Sequence, residues 1–135
     1  MSLENIETKS VLLVDDNRFI LEMYADEFRS AGFNTDIAVG AAEALRKMKE
    51  NKYNAIVLDL IMIAVDGVAL LEKMKNENLA EGSALILLTN SDDPDKIEKA
   101  RVLGAETYLK KLSTVPKEAV SQVSKVIQSQ NLQTI

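Results

Sequence analysis

A doubly wound α/β domain on a five-stranded parallel sheet is the fold this sequence predicts. Three observations predict it. Short unbroken apolar runs recur along the chain, helical stripes fill the gaps between them, and the two patterns alternate five times over 135 residues.

The first run, 11–14, is Val-Leu-Leu-Val with no polar alternation, the mark of a strand buried on both faces. Ile20, Met23, Tyr24, Phe28 and Ala31 then form a helical stripe, and Gly32 stands where that helix would stop. At 35–39, Thr35, Ile37 and Val39 alternate with Asp36 and Ala38, which suits an edge strand. Ala41, Leu45 and Met48 mark the second helix, and Ala55–Leu58 is the second fully apolar strand. Val68, Leu71 and Met74 mark the third helix, followed by the apolar strand 84–88. Asp93-Pro94 opens the fourth helix and Gly104 lies past its end. A weaker strand covers 107–109. The last helix opens near Pro116, carries Val120, Val123 and Ile127, and is expected to fray after Ser129, where the chain turns polar.

Five strand–helix units joined by right-handed crossovers put helices on both faces of the sheet. The three apolar strands belong inside and the two weaker ones at the edges. Strand order 2-1-3-4-5, the flavodoxin-like order, satisfies this. The expected organisation is an N-terminal extension at 1–9, one domain at 10–129 and a polar tail at 130–135, with no internal repeat or linker.

Composition narrows the chemistry. The chain has no cysteine and no histidine. That excludes disulfides, ordinary zinc sites and every Ser/His or Cys/His nucleophile. A net charge of −5 argues against nucleic acid and anionic membrane surfaces as partners. No apolar run approaches a membrane span, and residues 1–9 lack the apolar core of a secretory signal, so the expected location is cytoplasmic.

In such a sheet the ligand site lies beyond the carboxyl ends of the strands, near the switch point between strands 1 and 3. Strand 1 ends in Asp15-Asp16, strand 3 in Asp59 and strand 4 in Thr89; strand 5 is followed by Lys110-Lys111. Each feature alone has an ordinary explanation. Paired aspartates after a strand commonly turn or cap, a strand-end threonine bonds backbone, and a lysine is usually a surface charge. Their convergence on one end of the sheet is what points to a site. Three carboxylates in one cleft repel, and a hard cation such as Mg²⁺ relieves that repulsion. With a hydroxyl and a lysine beside them, they form the parts of a phosphoryl-transfer centre.

The segments VLLVDDN (11–17), AIVLDLIMIAVDG (55–67), LILLTN (85–90) and GAETYLKK (104–111) resemble, in order and spacing, those of response-regulator receiver domains of two-component systems. The resemblance covers 10–129, and its style is that of stand-alone, chemotaxis-type receivers. It implies that Asp59 is the phosphoacceptor. Asp16, Asp59 and the Ile61 carbonyl would be direct Mg²⁺ ligands, and Asp15 would hold metal-bound water. Thr89 and Lys111 would contact the phosphoryl group, Lys111 being chosen over Lys110 because it stands three residues after Tyr108. Tyr108 would swing inward as Thr89 moves, although edge-strand packing explains a tyrosine there equally well. A sensor histidine kinase or histidine phosphotransfer protein would be the donor. A downstream protein target would read the face of helix 4, strand 5 and helix 5. Such a domain is a phosphoacceptor switch rather than an enzyme acting on other molecules.

Three positions depart from the family pattern. Leu112 replaces the proline usual after the lysine, Ile63 replaces a proline in the acceptor loop, and Asn90 replaces a small residue after the threonine. A non-proline cis bond costs about 2.5–4 kcal/mol, so a trans Lys111–Leu112 bond is expected. These departures motivate one rival reading, a docking module that works without phosphorylation. A phosphatase with an aspartyl intermediate would want its second aspartate two residues after the first, where Asn17 stands. A flavin site would want a Ser/Thr/Gly phosphate loop after strand 1, which is lacking.

Overall fold

The computed structural model describes residues 8–133. The elements run β1 (Ser10–Asp15), α1 (Arg18–Ser30), β2 (Asn34–Val39), α2 (Ala41–Glu50), β3 (Ala55–Leu58), α3 (Gly67–Asn76), β4 (Ala84–Thr89), α4 (Pro94–Val102), β5 (Ala105–Lys110) and α5 (Pro116–Gln133). A short 3-10 turn, Lys111–Ser113, separates β5 from α5. The strands form one sheet in the order β2-β1-β3-β4-β5, with every pairing parallel. This is the expected order, with β2 and β5 at the edges.

Alternate residues of the inner strands feed two cores. Val11, Leu13, Val57, Ile86 and Leu88 pack with α1 and α5 through Leu21, Phe28, Val123 and Ile127. Leu12, Ile56, Leu58, Leu85 and Leu87 pack on the other face with Met48, Leu71, Met74 and Ala100. Burying each large aliphatic side chain contributes about 1.5–3 kcal/mol, so the inner strands are the most strongly held part of the chain.

Cap residues set where the helices begin. The Asn17, Asp66 and Asp93 side chains accept from the N–H groups of Ile20, Ala69 and Asp95 at 3.1, 2.9 and 3.0 Å. Gly32 and Gly104 follow α1 and α4 with φ of 97° and 115°, a backbone that disfavours other residues.

Four expectations need correction. The buried stripe of α1 is Leu21, Tyr24, Ala25 and Phe28; Met23 and Ala31 face solvent and Ile20 is half-buried. Ala38 of β2 is fully buried under α2, so that strand does not keep a clean polar face. Strand β5 starts two residues earlier than expected, with a bulge that passes over Glu106. Helix α5, expected to fray after Ser129, is helical to Gln133. Residues 1–7 of the expected extension and 134–135 of the expected tail lie outside the described residues.

Candidate functional site

The strand ends assemble the predicted cleft. Leu58 pairs with Val14 and Leu87, so Asp15 and Asp59 leave adjacent strands side by side, and Thr89 closes the row. All three are buried. The Asp59 carboxylate is held from several directions. The Thr89 hydroxyl donates to Oδ1, as does the Ile61 N–H at 3.0 Å, and Lys111 Nζ donates to Oδ2 at 2.7 Å. Lys111 Nζ also forms an ion pair with Asp15 Oδ2. Thr89 Oγ1 in turn accepts from Leu60 N and Ser91 N at 3.3 and 3.2 Å. No buried side-chain polar atom among the described residues lacks a partner.

Asp15 carries the electrostatic stress. Burial pushes its carboxyl above the ordinary range; the Lys111 ammonium and the Asn17 N–H, at 3.0 Å, oppose that rise without cancelling it, and the Asp59 charge adds to it. Burial pulls Lys111 down, but its bonds to Asp15 and Asp59 outweigh this and raise it, so the ammonium stays charged at neutral pH.

Asp16 stands at the rim and is only half-buried. Its Oδ2 accepts from the Ile63 N–H at 3.0 Å, which ties the end of β1 to the β3–α3 loop. Ile61, whose N–H donates to Asp59, is 52% exposed. Tyr108 lies farther along β4–β5, partly exposed, with its hydroxyl donating to the Ser91 carbonyl at 3.0 Å. The Lys111–Leu112 bond is trans, as are all peptide bonds among the described residues.

Among the described residues no three acidic side chains stand at metal-ligand spacing. The reason is visible: the Lys111 ammonium lies between Asp15 and Asp59, and Asp16 is turned to the Ile63 N–H. The donor set still fits a hard divalent cation. Two buried carboxylates already share one cationic partner, a third carboxylate follows in sequence, and the loop after β3 carries backbone oxygens.

Three contacts escaped the sequence reading. The Tyr24 hydroxyl donates to the Thr114 carbonyl at 2.7 Å and moors the segment after Lys111 to α1. Gly67 presses the start of α3 against the backbone of Asp59 and Leu60. Asn90 accepts from the Leu112 N–H at 2.7 Å. The Asp-Gly pair at 66–67 was the one available signal for Gly67; the other two bonds span loops that no local pattern connects.

Residues 11–123 match the response regulator receiver domain. The chain belongs to the response regulator receiver family. It is 30% identical over 124 residues to the probable transcriptional regulator ycf29 of Porphyra purpurea, covering 91% of this chain and 58% of that protein. It is 33% identical over 106 residues to the transcriptional regulatory protein PrrA of Mycobacterium tuberculosis, covering 78% and 45%. The chain thus spans about half the length of the curated relatives it matches. A CheY-like receiver domain protein from Methanospirillum hungatei shares the fold with a TM-score of 0.86 at 24% identity, covering 94% of this chain and 99% of that one. The chemotaxis protein CheY4 of Vibrio cholerae gives 0.81 at 23%, covering 89% and 99%. Receiver membership makes the chain a response-regulator signalling domain, and no helix of its described residues is long and apolar enough to cross a membrane.

Proposed function

We propose that this receiver domain takes a phosphoryl group on Asp59, with Mg²⁺, from the phosphohistidine of a sensor kinase or phosphotransfer protein in the cytoplasm. The change then reaches a downstream protein through the face formed by α4, β5 and α5. One observation carries the reading: the Asp59 carboxylate is buried between the Thr89 hydroxyl and the Lys111 ammonium, beside Asp15.

An Asp59 oxygen attacks phosphorus and forms the acyl phosphate, the phosphorus–nitrogen bond of the donor breaks with its electron pair going to nitrogen, and the imidazole, already protonated on its other ring nitrogen, leaves neutral. Thr89 and Lys111 then turn their hydrogen bonds from carboxylate to phosphoryl oxygens, so the same two groups stabilise the charge and report it. Asp16, Asp59 and the Ile61 carbonyl would hold Mg²⁺ directly and Asp15 through water; the ion supplies countercharge to the phosphoryl oxygens. Incubation with Mg²⁺ and acetyl phosphate should add one phosphoryl group by intact mass. No gain in mass would instead favour the phosphorylation-independent docking module to which Asn90, Ile63 and Leu112 point.

Two further outcomes are expected. Mg²⁺ should raise the melting temperature of the wild type, because it binds the folded cleft and relieves repulsion there. Asp16→Ala should lose that rise; equal Mg²⁺ affinity in both proteins by titration would move the metal site elsewhere. Thr89→Ala and Lys111→Ala should still take up phosphate at some rate but fail to pass the change to α4 and Tyr108. Amide chemical shifts read this, and a full wild-type shift pattern in both variants would contradict the switch.

A further inference from the structure

Two of the positions that depart from the family pattern meet in space. The Leu112 N–H donates to Asn90 Oδ1 at 2.7 Å, joining residues 22 positions apart on different loops. The bond needs both departures. A proline at 112 has no N–H to give, and a small aliphatic residue at 90 has no acceptor. Burial does not hold Leu112 there, since it is 82% exposed.

Its location gives the bond a use. Thr89 and Lys111 are the two side chains that grip Asp59 from β4 and from the end of β5. Asn90 and Leu112 are the residues next after them, so the bond links the two backbones one step beyond the grip. Beyond the turn the Tyr24 hydroxyl holds the Thr114 carbonyl at 2.7 Å, but within the turn there is little else. It is three residues long, its closing bond from Thr114 N to Lys111 O measures 3.5 Å, and Ser113 Oγ reaches Lys110 O at 3.5 Å. With no stiff proline after the lysine, the end of the turn next to Lys111, three residues short of the Tyr24 mooring, is fixed by the Asn90 bond.

We infer that Asn90 is a positioning residue for Lys111. Its side-chain oxygen latches the Lys111–Ser113 turn to the end of β4 and so keeps the ammonium on Asp59. The inference rests on the reading of Asp59 as acceptor, and the two arms of its test separate the ideas.

The first arm needs no phosphorylation. Hydrogen exchange of the Leu112 amide in the full chain should be slow in the wild type and in Asn90→Asp, which keeps an acceptor oxygen. It should be roughly three- to tenfold faster in Asn90→Ala. Equal exchange in wild type and Asn90→Ala overturns the latch. The second arm is a double-mutant cycle on the rate of phosphoryl uptake from acetyl phosphate with Mg²⁺. Asn90→Ala should slow uptake roughly three- to tenfold, and Asn90→Asp should restore it. In a Leu112→Pro background, where the donor is already gone, Asn90→Ala should change nothing. Equal slowing in both backgrounds overturns the proposal, because Asn90 would then act by another route. A wild type that takes up no phosphate contradicts the role of Asp59, and the exchange arm alone then decides the latch.

Discussion

Gly67→Ala should destabilise the domain and weaken the acceptor site together. Glycine is ordinarily a poor residue in a helix, and alanine there gains about 0.5–1 kcal/mol. At this position the sign reverses. A methyl group on Gly67 would stand 2.5 Å from the Asp59 carbonyl oxygen and 2.5 Å from the Leu60 Cα. Both atoms are backbone, so no side-chain rotation relieves the overlap. Either α3 backs away, which strains the 2.9 Å bond from Gly67 N to Leu60 O, or the turn after β3 moves and takes Asp59 with it. Overpacking of this kind costs about 1–3 kcal/mol and should lower the melting temperature by several degrees. Phosphoryl uptake should fall as well, since a misplacement near 1 Å can cost on the order of 10²-fold. Thermal melting and uptake from acetyl phosphate check this. Unchanged or raised stability with wild-type uptake would show that the contact is slack.

Ile61→Asn should shorten the life of the phosphorylated state. Loss of phosphate needs a water in line with the departing Asp59 oxygen. Ile61 follows two residues after Asp59, is half exposed, and its N–H donates to Asp59 Oδ1 at 3.0 Å. Its side chain cannot hydrogen-bond a water, and from this position its branched bulk is expected to cover part of the approach. Asparagine leaves the backbone bond in place and adds groups that hold a water, so decay should quicken by up to on the order of 10²-fold. Decay at fixed Mg²⁺ and pH checks it. An unchanged or slower rate would count against the role, and a drop in stability alone would make Ile61 a packing residue.

Much of this was legible in the sequence because burial leaves a plain record where both faces of a strand are covered. The runs at 11–14, 55–58 and 84–88 correspond to β1, β3 and β4 within one residue at either end. Edge elements were less legible. Strand β5 exposes Glu106, Tyr108 and Lys110, so its apolar signal shrank to the middle, and its bulge left no trace. The face of α1 was misjudged because Ile20 and Leu21 are equally apolar and 100° apart on the helix, and the choice between them is made by the sheet. For the site, each strand end named its own residue, so Asp15, Asp59, Thr89 and Lys111 converge as the order 2-1-3-4-5 requires. What could not be read was relation across loops. Asn90 and Leu112 each looked like an isolated oddity until the fold put them 2.7 Å apart. The adjacent Asp15 and Asp16 carry no local mark of their burial, yet only Asp15 is buried against Lys111.

The central claim is that Asp59 accepts the phosphoryl group. Peptide mass mapping after incubation with Mg²⁺ and acetyl phosphate tests it most directly, with wild type and Asp59→Asn run in parallel. The expected result is one adduct, on the peptide that carries Asp59, removed by hydroxylamine as an acyl phosphate is and absent from Asp59→Asn. An adduct on another residue, persisting at the same level in Asp59→Asn, would contradict it.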